Sequence, residues 1–363
     1  MRFAPVRHMA WAKQHQHLSP ARLDLSTSAV EDATLPDLGG MPDDLPLVGN
    51  NGYGHPGLLK AIAGRYGLGE DRVLPMGGTS LANFLVAAAL VQPGDRVVLE
   101  RPVYEPLVRI VEAAGGVPAW VDRRMEDGWA VDPEALRRAC GGKAALAILT
   151  NLHNPTGAGM DAGTVRACAA AAADACATLL VDEVYLDSAF AMSPPPVPAA
   201  TLAGNAVSTA SWTKSYGLGG LRSGWVAGPA ELIRHLKEVR DAVDVHNPYP
   251  VDVLALRAWE RREALLARAE RRFRENWPVV AAWLARNPAW RCTPPMGGFV
   301  CCPRAPDGIE VPQFLETLMT RHGCAVTPGE FFGLPRHIRI GFGGPKAILE
   351  EGLAALDEVA SKA

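Results

Sequence analysis

The sequence predicts an α/β fold with a mostly parallel central sheet flanked by helices, joined to a smaller α+β domain. Three observations predict it. Short apolar segments alternate with helical segments between residues 96 and 182, a pattern typical of βαβ units. Polar clusters directly follow several of these apolar segments, where parallel sheets bind their ligands. The chain has 363 residues, and at roughly 100–200 residues per domain it is long enough for two.

The elements of the larger domain follow one another along the chain. The first 45 residues contain scattered prolines and a Gly39-Gly40 pair, which predict an irregular arm with a short helix. Helical periodicity predicts helices over 57–66 and 81–91, the second opened by the turn Gly77-Gly78-Thr79-Ser80. The predicted strands are 96–100, 117–121, 145–149 and 178–181, and the helices between them are 104–114, 133–140 and 165–176.

The character of the sequence changes beyond residue 245. A tract rich in Arg and Glu over 253–285 predicts a long, solvent-facing helix. Further strands are predicted at 297–301 and 337–341, and further helices at 310–321 and 347–359. We therefore expect a large domain over 46–245 and a small domain over 246–363, to which the arm 1–45 also contributes.

Composition excludes several classes of function. The net charge of −3 gives no reason to expect a nucleic-acid or anionic-membrane partner. The longest apolar stretches, such as 84–91, are far shorter than the ~20 residues that span a bilayer, and the N-terminus lacks the apolar segment of a signal peptide. Seven cysteines without a C-x-x-C pair suit free thiols in a reducing cytoplasm, and neither they nor His15 and His17 predict a metal site.

Four polar clusters are candidates for chemistry. They are the turn at 77–80, Asn154-Pro-Thr-Gly157, Asp182-Glu-Val-Tyr185, and Ser211-Trp-Thr-Lys214 with the glycine-rich run to Arg222. Each alone has an ordinary interpretation as a turn, a helix cap or a surface lysine. The glycines after Lys214 do not form a dinucleotide-binding fingerprint, because Arg222 occupies the position of the third glycine.

Together and in this order, the clusters resemble the class I/II aminotransferases, the aspartate-aminotransferase-like family of fold type I pyridoxal-phosphate enzymes. The Asp lies 28 residues after the Asn, the Ser-x-x-Lys begins 29 residues after the Asp, and Arg222 follows the Lys by eight. The resemblance extends from about residue 25 to 356. It implies the fold type I large domain, with pyridoxal 5′-phosphate bound at the carboxyl ends of the strands.

The resemblance also implies roles around the cofactor ring. Lys214 matches the lysine that forms the Schiff base and then moves a proton between the substrate Cα and the cofactor. Asp182 matches the carboxylate that keeps the pyridine nitrogen protonated. Asn154 and Tyr185 match the residues that hydrogen-bond the phenolic oxygen, and Asn154 also reaches the substrate. Tyr104 matches the aromatic residue that stacks on the ring.

The cofactor phosphate has its own set of matching residues. Gly78, Thr79 and Ser80 lie where a helix N-terminus offers donors to an anion. Ser211 and Arg222 match the family's phosphate-binding pair, and an arginine can hold two phosphate oxygens at once. The match therefore predicts an anion site built from two separate loops.

The remaining matches concern the substrate and the second subunit. Arg339, in His337-Ile-Arg-Ile-Gly341, matches the arginine that binds the substrate α-carboxylate. Ser28 and Ala29 lie where relatives place a substrate-contacting loop. Tyr53 matches a tyrosine that reaches the phosphate of the neighbouring subunit, so the resemblance implies a homodimer with shared active sites.

The implied activity is ping-pong transamination between an L-amino acid and a 2-oxo acid. A carbon–sulfur β-lyase, another elimination or a decarboxylation on the same fold stays open, because these paths share the step of Cα deprotonation. A non-enzymic cofactor-binding regulator is a remote alternative, since no helix-turn-helix module precedes residue 25. No motif identifies a second, side-chain-binding arginine. Arg240 and Arg257 are candidates for it, Tyr249 could line the side-chain pocket, and His153 could pack or act in catalysis.

Overall fold

The N-terminal arm is helical at its start and ends in a strand. The computed structural model describes residues 3–42 and 44–362. Helix α1 spans Arg7–Lys13 and continues into a π-helical turn that ends at Leu18. Strand β1 (Leu23–Leu25) pairs in parallel with a C-terminal strand, Cys324–Pro328. The arm is therefore built into the same sheet as the last third of the chain, whereas the predicted domain limits at 45 and 245 stay predictions.

A seven-stranded sheet forms the centre of the larger part of the molecule. Its strands are β2 (Val73–Met76), β3 (Arg96–Arg101), β4 (Val117–Asp122), β5 (Leu146–Thr150), β6 (Thr178–Asp182), β7 (Ala206–Ser211) and β8 (Gly224–Ala227). Their order is β2-β8-β7-β6-β5-β3-β4, and only β8 runs antiparallel to its two neighbours. The predicted mostly parallel α/β fold is confirmed.

Helices cover both faces of this sheet. They are α2 (Pro56–Tyr66), α3 (Thr79–Leu90), α4 (Glu105–Ala114), α5 (Pro133–Cys140), α6 (Ala162–Ala173) and α7 (Ala230–Asp241). Side chains alternate across the strands, so Val97 and Leu99 pack into one apolar core while Val98 packs into the other. Two buried faces explain why the strands read as short apolar runs rather than as alternating segments.

A four-stranded sheet organises the C-terminal part. Its elements are α8 (Tyr249–Glu260), α9 (Arg262–Arg286), β9 (Val300–Cys301), α10 (Val311–His322), β10 (Cys324–Pro328), β11 (Ile338–Gly341) and α11 (Lys346–Ala360), and the strand order is β1-β10-β11-β9. The predicted tract 253–285 is two helices that break at Arg261. The strand predicted at 297–301 is short because Gly297 and Gly298 have positive φ.

The sequence reasoning missed β1, which lies in the arm predicted to be irregular, and also β2, β7, β8, β10 and α7. Strand β7 reads Ala-Val-Ser-Thr-Ala-Ser, which is too polar to stand out although all six residues are buried. Its register places Thr209 opposite Asp182, and Thr150 of β5 also lies opposite Asp182. The loops that follow β5, β6 and β7 therefore leave the sheet at one edge, where the polar clusters of the sequence meet. No helix in the described ranges is long and apolar enough to cross a bilayer.

Candidate functional site

Lys214 lies in the loop after β7, at the carboxyl edge of the sheet. Its Nζ donates a hydrogen bond to Ser28 Oγ at 3.0 Å. Burial lowers the pKa of Lys214 to about 8, and the positive charges of Arg339 and Arg222 act in the same direction. The ammonium is disfavoured beside two other cations, so the neutral, nucleophilic amine forms at a lower pH than in an ordinary lysine.

Asp182 is the last residue of β6 and is held by a two-step hydrogen-bond chain. Asn83 Nδ2 donates to Asp182 Oδ2 at 2.8 Å, and Thr209 Oγ1 donates to Asn83 Oδ1 at 2.6 Å. Burial raises the pKa of Asp182 to about 6, against the hydrogen bonds from Asn83 and Val184 and the charge of Lys214. The chain fixes the carboxylate in the site. Sequence reasoning missed Asn83, although a polar residue in an otherwise apolar helix was a readable signal.

Tyr185 and Tyr104 place two phenol groups in the same site. The Tyr185 hydroxyl is buried and has no well-aligned hydrogen-bond partner within the described part of the chain. Ser28 lies close enough to oppose the rise in its pKa. The Tyr104 hydroxyl donates to Met9 Sδ at 3.0 Å. Burial raises the pKa of both phenols, so both stay protonated donors at neutral pH. The free Tyr185 hydroxyl is thus available to an external oxygen.

The turn before α3 and the loop around Arg222 come together into a cradle. A Cβ added to Gly78 would lie 2.8 Å from Arg222 Nη2, so the guanidinium lies directly over the glycine backbone. The Thr79 and Ser223 hydroxyls are buried without a hydrogen-bond partner among residues 3–42 and 44–362. Unpaired buried hydroxyls, a cation and a helix N-terminus together suit an anion.

Ser211 and Ser80 flank this cradle. Ser211 Oγ donates to Thr213 Oγ1 at 3.1 Å, and Ser80 is exposed in the first turn of α3. Arg222 itself is exposed and adopts the left-handed conformation, with φ at 49°. The predicted phosphate-binding residues are therefore neighbours in space, although they come from segments about 130 residues apart in the chain.

Arg339 lies on β11 and is buried without a carboxylate partner in the described ranges. Nη1 donates to Asn154 Oδ1 at 3.0 Å, and Nη2 donates to the Ser26 carbonyl at 2.8 Å and to Thr327 Oγ1 at 3.1 Å. Its Nε is buried and unpaired with any described residue. Burial lowers the pKa of Arg339, which remains a cation. A buried guanidinium held only by neutral acceptors favours a carboxylate from outside the protein.

Residues 28–30 of the N-terminal arm lie next to Lys214. Ser28 accepts the bond from Lys214, and the Val30 N–H donates to the Lys214 carbonyl at 3.1 Å. Ala29 is buried between them, with its carbonyl against Gly343. Tyr53, by contrast, is not in this site: its side chain is 41% exposed and its hydroxyl donates to Asp241.

Three further candidates have structural roles or lie elsewhere. His153 is buried, with Nδ1 2.7 Å from Thr156 Oγ1 and Nε2 2.9 Å from the Pro102 carbonyl, so it braces the loop that carries Asn154. All three nitrogens of the buried Arg240 guanidinium already donate, to Asp244, Asn247 and the Pro75 carbonyl, so Arg240 does not face a substrate. Tyr249 packs on His55, with ring centroids 5.6 Å apart.

Comparison with known proteins assigns the family. Residues 49–356 match the model for aminotransferase class I and II. The chain belongs to this family. It is 33% identical to capreomycidine synthase of Streptomyces vinaceus, over 93% of this chain and 90% of that protein. It is 30% identical to the arginine–pyruvate transaminase AruH of Pseudomonas aeruginosa, over 82% and 79%. A solved PLP-dependent cyclase, OrfR, superposes with a TM-score of 0.88 at 30% identity, over 100% and 98%.

Family membership makes the chain an enzyme of the aminotransferase class with pyridoxal phosphate as its cofactor. The residues of the site fit that cofactor. The cradle of Gly78, Thr79 and Arg222 suits its phosphate, and the free Tyr185 hydroxyl suits its phenolic oxygen. Lys214 bonds Ser28, which also lies next to Tyr185, and it is close enough to Arg222 for that charge to lower its pKa. The lowered pKa favours the neutral amine that attacks an aldehyde.

Proposed function

We propose that the protein is an L-α-amino acid aminotransferase in which Lys214 holds the cofactor and Arg339 binds the substrate α-carboxylate. The observation that carries the proposal is the buried Arg339 guanidinium, which has no carboxylate partner among the described residues and lies in the same site as Lys214. A buried cation of this kind is stabilised when a substrate supplies the missing anion. Fixing the carboxylate also fixes the orientation of the Cα–H bond.

The remaining residues of the site hold and tune the cofactor. Asp182 would pair with the ring nitrogen and keep it protonated, while Asn154 and Tyr185 would bind the phenolic oxygen. The phosphate would be held by Thr79, Ser80, Ser211 and Arg222 together with the backbone of Gly78. Tyr104 would pack on the ring. When bound, pyridoxal phosphate supplies an electron sink for the pair that the Cα–H bond releases.

Lys214 moves the proton. With the cofactor bound to the substrate, the neutral Nζ amine would take the Cα proton and return it on the cofactor side of the amino nitrogen. Water would then release the 2-oxo acid and leave the amino group on the cofactor. Ser28, the present hydrogen-bond partner of Nζ, orients the amine between these two positions.

A second candidate activity is supported by two relatives. Capreomycidine synthase and the PLP-dependent cyclase OrfR are named for reactions other than simple transamination, and the chain covers at least 90% of each of them. Loss of the Cα proton is common to transamination and to eliminations or cyclisations, so the same Lys214 and Asp182 serve either outcome. The transaminase AruH provides the first donor and acceptor to test, arginine and pyruvate.

The test separates the two activities by stoichiometry. Purified holoenzyme is mixed with single L-amino acids, arginine among them, without any 2-oxo acid, and absorbance and products are followed. A transaminase converts one equivalent of donor per site and then stops until pyruvate is added. Continued turnover without an acceptor, with ammonia release or a cyclised product in the mass spectrum, would identify the second activity instead. Lys214→Ala is the control and should give neither.

The assembly and the compartment complete the proposal. A homodimer is expected, because exposed Tyr53 matches the residue that relatives direct at the neighbouring subunit. A cytoplasmic location is expected because all seven cysteines are free thiols, which persist in a reducing compartment.

A further inference from the structure

Helix α1 places a histidine beside the candidate site. The His8 side chain is buried, with 3% of the residue exposed. Its imidazole stacks on Phe331 with centroids 5.4 Å apart and meets the rings of Phe332 and Tyr104 edge-on at 5.1 and 5.6 Å. A histidine near the start of the chain thus lies in an aromatic cluster that includes a residue of the cofactor site.

The position of this imidazole is fixed from two sides. The His8 backbone N–H donates to Glu105 Oε2 at 2.8 Å, and the neighbouring Met9 accepts the Tyr104 hydroxyl at 3.0 Å. On the other side, the Phe332 ring lies 5.2 Å from the guanidinium carbon of Arg339. His8 therefore lies between the aromatic residue assigned to the cofactor ring and the arginine assigned to the substrate carboxylate.

The imidazole is neutral and has an unused nitrogen. Burial, together with the smaller effects of the Arg339 and Lys214 charges, lowers the pKa of His8 to about 3. A neutral imidazole has one N–H and one lone pair. Nδ1 is buried and makes no hydrogen bond to any described residue. Buried polar atoms of folded proteins normally have partners, so this nitrogen points to a missing ligand.

We propose that His8 determines donor specificity by hydrogen-bonding the polar end of the donor's side chain. The class of donor it favours is an α-amino acid whose side chain ends in an N–H or O–H group. This inference rests on the proposed function, because it takes Arg339 to hold the carboxylate. A neutral lone pair is a poor partner for that anion but a good acceptor for an amide, guanidino or hydroxyl group, and the surrounding aromatic rings suit the methylene groups that precede it.

The experiment replaces the imidazole by a ring that cannot hydrogen-bond. His8→Phe keeps an aromatic ring in the cluster and removes both nitrogens. The half-reaction of holoenzyme is measured with glutamine against methionine and norleucine, which match it in length, and with arginine as a longer polar donor. We expect kcat/KM for the polar donors to fall about tenfold or more, mainly through KM, while the apolar donors change by less than about twofold. His8→Gln, which restores an amide, should recover part of the loss.

His15→Phe is the matched control. This histidine is in the same arm but bonds the Trp11 carbonyl and stacks on the Trp11 ring 4.4 Å away. The substitution His15→Phe should leave the donor preference unchanged. An equal loss for polar and apolar donors in His8→Phe, or no loss for either, would overturn the proposal.

Two further readouts keep the inference separate from the proposed function. If the wild type turns over no donor, the proposed transamination is wrong. The dissociation constants of the donors, measured from the spectral shifts that they induce, still show whether His8 selects polar side chains. If His8→Phe does not fold, His8→Gln and His8→Leu are compared in the same assay. Equal preference for polar donors in these two variants would reject the role of His8.

Discussion

Lys214 and Asp182 show how burial tunes single residues. Taking a charge out of water costs free energy, so burial lowers the pKa of the lysine and raises that of the aspartate. The two groups therefore titrate at about 8 and about 6, inside the range where enzymes operate. Perturbed groups of this kind cluster at functional sites.

The pKa of Lys214 predicts how the free enzyme captures its cofactor. Below about pH 8 the amine is protonated and cannot attack an aldehyde, so the rate of cofactor binding to apoenzyme should rise with pH and level off above about 8. Stopped-flow absorbance of apoenzyme mixed with pyridoxal phosphate measures this rate. A midpoint near 10, the ordinary lysine value, would mean that burial and the charges of Arg222 and Arg339 do not lower the pKa of Lys214. Lys214→Arg should show no pH-dependent phase.

Helix α3 shows how one element prepares an anion site. The helix starts at Thr79 directly after Gly78, whose φ of 94° is easily adopted by glycine. The first N–H groups of a helix have no internal partner and point at whatever lies before it. Arg222 completes the cradle from a different loop. Neither segment alone is therefore recognisable in the sequence as an anion site.

Gly78→Ala tests this arrangement. The added methyl group would displace the Arg222 guanidinium, which now lies 2.8 Å from that position, and would strain the backbone. We expect the affinity for pyridoxal phosphate to fall at least about tenfold, equivalent to about 1.4 kcal/mol, measured by fluorescence titration. Gly94→Ala, whose Cβ meets no atom within 4 Å and whose φ is also positive, controls for the backbone effect. Equal losses in the two variants would refute the steric explanation.

A buried ion pair joins three strands beneath the site. Arg123 Nη1 donates to Glu100 Oε2 at 2.8 Å, with 0% and 1% of the two side chains exposed. Glu100 Oε1 also accepts the N–H and the hydroxyl of Thr150. The pair thus connects the ends of β3 and β5 to the loop that leaves β4.

Removing one partner of this pair should destabilise the fold. Arg123→Met leaves the buried Glu100 carboxylate uncompensated, and we expect the free energy of unfolding to fall by about 3–5 kcal/mol in denaturant titrations. The Arg101–Asp122 pair, with both side chains about half exposed, is the control: Arg101→Ala should cost less than about 1 kcal/mol. Adding Glu100→Gln to Arg123→Met should recover part of the loss. A loss below about 1 kcal/mol for Arg123→Met would contradict this account.

At the scale of the whole molecule, the two ends of the chain meet. Strand β1 of the arm pairs with β10, and Arg339 on β11 donates to the Ser26 carbonyl just after β1. Arg339, proposed to bind the substrate carboxylate, and the loop that touches Lys214 therefore both depend on the pairing of β1 with the C-terminal sheet. A change in the position of the arm would reach both of them.

The proposed dimer predicts complementation between inactive subunits. If Tyr53 serves the neighbouring site, a mixed dimer of Lys214→Ala and Tyr53→Ala subunits contains one intact site. The two subunits are co-expressed with different tags, and the mixed dimer is purified. It should bind the cofactor more tightly than either variant homodimer and should have roughly a quarter to half of the wild-type activity. Mixed dimers that bind the cofactor no better than Tyr53→Ala would place Tyr53 in its own subunit's site. A monomer in light scattering would reject the dimer itself.

The sequence by itself determined the fold class and the family, and it predicted the linear order of the candidate site residues. Strand and helix periods repeat locally, and Asn154, Asp182, Lys214 and Arg222 lie in short motifs at fixed spacing, so both are readable without a structure. The weak strand β7 was not readable, because its polar residues are buried by the sheet on both sides rather than by any local pattern.

Only the tertiary structure decided which distant residues share the site. Asn83 reaches Asp182 across 99 residues, Asn154 reaches Arg339 across 185, and Ser28 reaches Lys214 across 186. It also placed His8 among the site's aromatic rings and showed that Arg240 is fully occupied in the core. The physical reason is that burial and hydrogen-bond satisfaction depend on which surfaces pack together, and packing brings together segments that carry no local signal of one another.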